Sequence, residues 1–269
     1  MEKLRKFKTE EEFLNIKNSL KYPQVSLTDD NGKVWVKEKP ISYIIAKYYI
    51  SEEDVNKPTL LWGGYSSLQY ADYYIIDGEQ IDNKNSSLMD YTFNSIGEHT
   101  VEVYFKGYVD SLSCGFVFAE NLISVDLSNF DTSKVTSMGQ MFQGCINLKS
   151  VTFGDNFNTS NVINMYNMFY DCNGLTSLDL SNFNTSNVTT MSFMFYYCTN
   201  LTLLDLSSFD TSNVTDMSSM FDNCRNLTSL DLNGWDISKV EYGPCAFNSV
   251  NNDVVIGVDP TLDIFMCGE

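Results

Sequence analysis

The chain has 269 residues, 43% hydrophobic and 19% charged, enough for one large domain or two to three small ones whose cores need no disulfide or metal staple. Its 17 basic and 35 acidic residues give a net charge of -18, which repels phosphate backbones and anionic membrane surfaces and argues against nucleic-acid binding. The single histidine, His99, disfavours His-based catalysis or a multi-His metal site, and no apolar run reaches the roughly 18 residues of a membrane helix.

The opening residues, MEKLRKFKTEEEFL, carry positive charge but no apolar core and no small-residue cleavage site. They do not read as a secretory signal. The expectation is a protein that stays in the cell that makes it or leaves on lysis, with its seven cysteines reduced. Charge is uneven. Residues 1–110 hold 13 basic and 18 acidic side chains, and residues 111–269 hold 4 and 17. That asymmetry predicts modules of different kind.

Thr9-Glu10-Glu11-Glu12 is a capping box ahead of an apolar face of Phe13, Ile16 and Leu20, with Phe7 placed as a staple. It predicts a short helix ending near Tyr22-Pro23. Val25 and Leu27, the turn Asp30-Asn31-Gly32, and Val34-Trp35-Val36 predict a β-hairpin. Forty residues of this kind are too few to be independent. The run LRKFKTEEEFLNIKNSLKYPQVSLTDDNGKVWV resembles the N-terminal segment of many virion proteins from crAss-like gut-bacterial phages. That resemblance implies an attachment module at residues 1–40, with Phe7, Phe13, Ile16, Tyr22, Val25, Leu27, Val34 and Trp35 as docking residues toward other virion proteins.

Residues 41–110 alternate apolar and polar over several short runs separated by turn residues. This predicts a small all-β, antiparallel sandwich. Val101, Val103 and Phe105 point inward, and His99 reads as a strand or turn residue without a partner. The stretch YTFNSIGEHTVEVYF resembles the closing strands of PKD/Ig-like domains, and that resemblance implies a turn at Asp77-Gly78.

The second half is an internal repeat. Units of 26 to 27 residues begin at Leu122, Leu148, Leu175, Leu201 and Leu227. Rows of like residues recur: Phe130, Phe157, Phe183, Phe209 and Trp235; Val135, Val162, Val188 and Val214; Met138, Met165, Met191 and Met217; Cys145, Cys172, Cys198 and Cys224. Leu178 and Leu180 alternate as in a short strand, and Val188, Met191, Phe195 and Cys198 follow at helical spacing. The predicted fold class is therefore an α/β repeat solenoid at 111–269, one strand and one short helix per coil, with coils stacked in register. The consensus L-x-x-L-D-L-S-x-F-D-T-S-x-V-T-x-M-x-x-M-F-x-x-C-x-N resembles the BspA-like leucine-rich repeat. That resemblance implies a cell-surface or adhesive protein binding other proteins or glycans.

The cysteine row reads as small core hydrophobes rather than metal ligands or a disulfide ladder. Asp179, Asp205 and Asp231, flanked by Ser177 and Ser229, form a column on the outer sheet face. Such a column suits a solvated hydrogen-bonded ladder, a calcium ion, or a sugar or protein ligand. No catalytic triad, P-loop, dinucleotide fingerprint or zinc spacing is present in the sequence. The reading is a non-enzymatic phage virion protein, displayed on the particle surface as a capsid, head-fibre or tail decoration, binding host or mucosal glycans or proteins. It calls for no cofactor and no membrane insertion, and for a homotrimer or homodimer. Alternatives are a bacterial BspA-like adhesin, a purely structural capsid protein and an accessory module of a carbohydrate-active enzyme.

Overall fold

The computed structural model describes residues 4–6, 24–27, 34–37, 42–63, 67–82, 88–155, 157–243, 246, 249–250 and 255–257. The chain divides into two compact units, Met1–Ser42 and Tyr43–Glu269. In the first, β1 (Leu4–Lys6), β2 (Gln24–Leu27) and β3 (Val34–Lys37) form a sheet in the order β1-β3-β2. The predicted pairing of the second and third is present and antiparallel, Val25 opposite Val36 and Leu27 opposite Val34. β1 joins the other edge of β3; its three residues, LRK, are too short and polar to show an alternation. The helix predicted after Thr9 and the turn at Asp30-Asn31-Gly32 lie outside the described residues.

The second unit opens with β4 (Ser42–Ile50), β5 (Pro58–Leu60), β6 (Tyr73–Ile76), β7 (Glu79–Asp82), β8 (Asp90–Thr92) and β9 (Gly97–Phe105). Period-2 alternation buries one face. Ile44, Ala46, Tyr48 and Ile50 on β4 pack inward, and so do the expected Val101, Val103 and Phe105 on β9. Asp77 and Gly78 turn β6 into β7 with positive φ at both positions (50° and 85°), the requirement of a type I′ turn. His99 corrects an expectation, because it is buried and partnered. Its Nδ1 lies 2.6 Å from Asp77 Oδ2 and its Nε2 lies 2.9 Å from the Ser95 carbonyl. Asp77 Oδ1 also accepts the Thr100 amide. One carboxylate thus ties a hairpin turn to the neighbouring strand, a long-range pairing of residues 22 positions apart.

The next strands are β10 (Leu122–Asp126) and β11 (Ser150–Thr152). β10 pairs antiparallel with β4 and parallel with β11. The six-stranded sheet β11-β10-β4-β9-β6-β7 therefore runs across residue 110 without a break. Further along, β12 (Leu203–Asp205), β13 (Ser229–Asp231) and β14 (Val255–Gly257) form a parallel sheet.

The repeat is a stack of coils, as predicted, but the helix of each coil is absent. The only helix among the described residues is a 3-10 turn at Ser67–Tyr70. The stretch from Met to Cys in each unit is instead a train of turns, and backbone geometry gives the reason. Two residues per unit, four apart, adopt positive φ: Gln140 and Gly144, Asn167 and Asp171, Phe193 and Tyr197, Ser219 and Asn223. A right-handed helix cannot pass through them. Alternate amides then bond to the next coil rather than within a helix. The N–H groups of Met138, Gln140, Phe142 and Gly144 donate to the carbonyls of Asn164, Tyr166, Met168 and Tyr170. The intervening Met141, Gln143 and Cys145 amides close local turns three residues back. This conformation buries Met141, Met168, Met194 and Met220 beside the predicted Met, Phe and Cys rows.

The corners of each coil are made by short polar side chains that bond their own backbone two residues on. Asp205 Oδ1 accepts the Ser207 amide, Asp210 Oδ1 the Ser212 amide and Asp216 Oδ1 the Ser218 amide. Between two of these corners a buried threonine links coils. Thr159 Oγ1 donates to the Asn184 carbonyl and accepts the Asn184 amide, and Thr211 does the same with Asp236. Inside, Phe116, Phe142, Phe169, Phe195 and Phe221 stack with ring centroids 5.5 to 5.7 Å apart. Each such ring contributes roughly 1.5–3 kcal/mol by burial, plus its contacts with the rings on either side. The four cysteines of the row are free and buried, and each thiol donates to a carbonyl of the preceding coil: Cys145 to Phe116, Cys172 to Phe142, Cys198 to Phe169, Cys224 to Phe195. Burial pushes all four thiols up, that of Cys224 to about 12.

Two predictions follow from this packing. Phe169→Ala should lower stability by about 3–5 kcal/mol and Thr185→Val by about 1–3 kcal/mol, whereas Thr189→Val on the solvent side should change it by less than about 0.5 kcal/mol; urea titration of the three variants checks the ranking. Alkylation under native conditions, read cysteine by cysteine in a peptide digest, should spare Cys145, Cys172, Cys198 and Cys224 and modify the half-buried Cys114 ahead of those four.

Candidate functional surface

The column singled out from the sequence is assembled by the stacking. Ser177 bridges to Leu203, Leu203 pairs with Ser229, and Asp205 pairs with Asp231, each in parallel register. Asp179, two residues beyond Ser177, falls in the row of Asp205 and Asp231. The serine row is interrupted by an exposed leucine, Leu203. The aspartates carry a structural duty: one oxygen of each accepts the amide two residues on, at Ser181, Ser207 and Asn233. The Ser181 and Ser207 side chains and, after them, their backbone amides hold the Asp179 and Asp205 carboxyls below the usual carboxylate range. The second oxygen of each carboxylate is not used in those turns. Among the described residues no group of three or more His, Cys, Asp or Glu side chains could hold a metal ion.

Of the residues read as attachment points, Val25 and Leu27 lie on β2 and Val34 and Trp35 on β3. Phe7, Phe13, Ile16 and Tyr22 lie outside the described residues.

A second surface was not found from the sequence. Between the core methionines and the cysteine, each unit has positions that the repeat leaves free. In two neighbouring coils they hold Tyr166, Tyr170, Phe193, Tyr196 and Tyr197. Tyr170 and Tyr196 stack at 4.9 Å, Phe193 meets Tyr196 edge-on at 5.6 Å, and the Arg225 guanidinium lies 6.0 Å from the centre of the Tyr197 ring. Phe193 and Tyr197 remain 36% and 38% exposed. Both occupy the left-handed backbone positions, with φ of 56° and 62°. The coils that follow or precede place Gln140, Asn167 and Ser219, or Gly144, Asp171 and Asn223, at those positions, and the first coil places Cys114 and Phe118 there. A bulky side chain there costs on the order of 1 kcal/mol, and the partial exposure of Phe193 and Tyr197 returns only part of the hydrophobic gain of full burial. The signal was legible as departures from the consensus, but a repeat alignment draws the eye to what is shared.

The turn duty of the aspartates can be separated from any duty toward a ligand. Replacing Asp179, Asp205 and Asp231 together by Asn should lower the melting temperature at neutral pH only slightly, since the amide oxygen still accepts, as Asn184 already does for Ser186, and only the part that belongs to the charge is lost. The triple Ala variant should melt lower. The wild-type contribution from Asp179 and Asp205 belongs to their ionised form, because their folded pKa is depressed; it is present above the unfolded carboxylate range and lost as pH falls through the folded value. Melting curves down to acid pH should show a larger loss in the wild type than in the Asn variant, which keeps Asp54, Asp210 and Asp236 with depressed carboxyls of their own.

Neither a curated protein nor a solved structure matches the chain. A family model does, over residues 110–204 and again over 179–253, and its description is a Mycoplasma protein of unknown function, DUF285. The two matches together span more than half of the sequence and coincide with the stacked coils, which is consistent with a BspA-like repeat protein. The chain belongs to the DUF285 family.

Proposed function

We propose that this chain is a non-catalytic display protein whose solenoid binds host or mucosal glycans or proteins, and whose residues 1–40 attach it to other proteins of a phage particle. The observation that carries the binding half is the aromatic cluster of Tyr170, Phe193, Tyr196 and Tyr197. Phe193 and Tyr197 hold part-exposed aromatic rings at left-handed positions that the flanking coils fill with Asn167, Asp171, Ser219 and Asn223, a feature of contact surfaces rather than of packing. The carboxylate column of Asp179, Asp205 and Asp231, with Ser177 and Ser229 beside it, offers a second, polar strip. Residues 41–110, in the PKD/Ig-like reading, serve as a spacer. The attachment half rests on the resemblance of the N-terminal segment to virion proteins. A homotrimer or homodimer on the particle surface suits such a protein.

A second reading is a bacterial surface adhesin. It is favoured by the family description, which refers to a cellular organism.

Two measurements test the proposal. In proteomics of purified phage particles and of cell envelopes, peptides of this chain should appear at stoichiometric level in the particles; recovery only in envelopes would replace the virion reading with the adhesin. In a pull-down on immobilised mucin and on host cells, the wild-type protein should bind. Phe193→Ser with Tyr197→Asn, the residues of the following coil, should bind at least tenfold less with an equal or higher melting temperature. Undiminished binding by that folded double variant would remove the aromatic cluster from the account.

A further inference from the structure

Beside the solenoid surfaces lies a cleft of about 330 Å³, within the roughly 300–1,000 Å³ typical of small-molecule sites. It forms where the end of β4 meets the first coils. Its walls include Tyr49, Asp54, Glu98, Asn121, Asn147 and Lys149. Most of them are fixed in place. The Tyr49 amide donates to the Asn121 carbonyl, and the Asn121 side-chain amide donates to Asp54 Oδ2. Ser51 Oγ donates to the same Asp54 oxygen at 2.6 Å. The Asn147 side-chain amide donates to the Glu120 carbonyl, and the Lys149 amide donates to the Ile123 carbonyl.

These bonds consume donors and leave acceptors. Asp54 Oδ1 and the Glu98 carboxylate remain, together with the side-chain oxygens of Asn121 and Asn147. Glu98 and Lys149 have no ion-pair partner among the described residues. Lys149 also departs from the repeat. The equivalent Thr202 and Thr228 bond back to the preceding coil through their hydroxyls, to the carbonyls of Thr176 and Thr202. The solenoid needs no lysine there, and only four basic residues occur in 111–269. Tyr49, 49% exposed, adds an aromatic ring to one wall.

We infer that this cleft is a carbohydrate site for a neutral, hydroxyl-rich pyranose unit. Sugar hydroxyls donate to the acceptor-rich wall and accept from Lys149, and the C–H face of the ring lies on Tyr49. The carboxylates disfavour an acidic sugar. The inference rests on the reading of the chain as a binding protein, but it uses residues apart from the aromatic cluster.

Saturation-transfer NMR on the full chain tests it, with the methyl pyranosides of glucose, galactose, mannose and N-acetylglucosamine as probes. At least one should receive saturation. The transfer should be lost in Lys149→Thr, which restores the residue of later coils, and in Tyr49→Ser, and should persist in Lys239→Thr. Wild-type melting curves for all three variants would show that folding is intact. No transfer to any of the four sugars would overturn the site, as would transfer retained in both cleft variants or abolished by a chelator. Sugar transfer that persists while the wild type fails to bind mucin and cells would keep the cleft and reject the adhesive reading. Mucin and cell binding without sugar transfer would do the reverse.

Discussion

The structure depends on backbone hydrogen bonding from coil to coil along the Met-to-Cys stretch. Amides at every second residue reach the next coil, and left-handed residues at two fixed places per unit aim them there. No single unit can satisfy these groups alone, so the coils are stable only as a stack. The in-register Phe column, the thiol-to-carbonyl row and the buried threonines all follow from that alignment, because a parallel register places like residues over like. The same alignment fixes the outer surface. A residue that the core does not need is repeated or varied at a set position, which turns sequence variation into a surface pattern.

That arrangement separates two kinds of polar residue. The aspartates and asparagines at the corners bond their own backbone and are required wherever the coil turns. The exposed aromatic side chains of Phe193 and Tyr197 answer no such requirement and cost backbone strain. Lys149 is of the same kind, since the threonine it replaces would add an inter-coil bond. Departures of this sort are where binding is expected to reside in a repeat protein.

Much of the fold was legible in the sequence. The repeat length, the buried Leu, Phe, Val, Met and Cys rows and the inward face of β9 follow from periodicity, and the turn at Asp77-Gly78 from the resemblance to PKD/Ig-like domains. The helix did not hold. Spacings of three and four between apolar residues fit a helix and a train of turns equally well, and only positive φ at residues such as Phe193 and Tyr197 separates them. Nothing in a phenylalanine or tyrosine announces that conformation. The strand β1 and the His99–Asp77 pairing were missed for a different reason. Each depends on a partner far along the chain, Lys37 with its neighbours or a turn 22 residues away, and local pattern carries no information about it. The Asp column was legible because its residues repeat; the aromatic cluster and the cleft were not, because they are departures.

The central claim is the backbone conformation of the Met-to-Cys stretch, and solution NMR tests it most directly. Strong intraresidue amide-to-α-proton contacts at Phe193 and Tyr197, together with contacts from the amides of Phe193 and Phe195 to the coil that follows, are the result expected from positive φ and coil-to-coil bonding. A run of α-proton to amide contacts three residues apart through 191–198, with weak intraresidue contacts at 193 and 197, would show a helix in each coil and contradict the account.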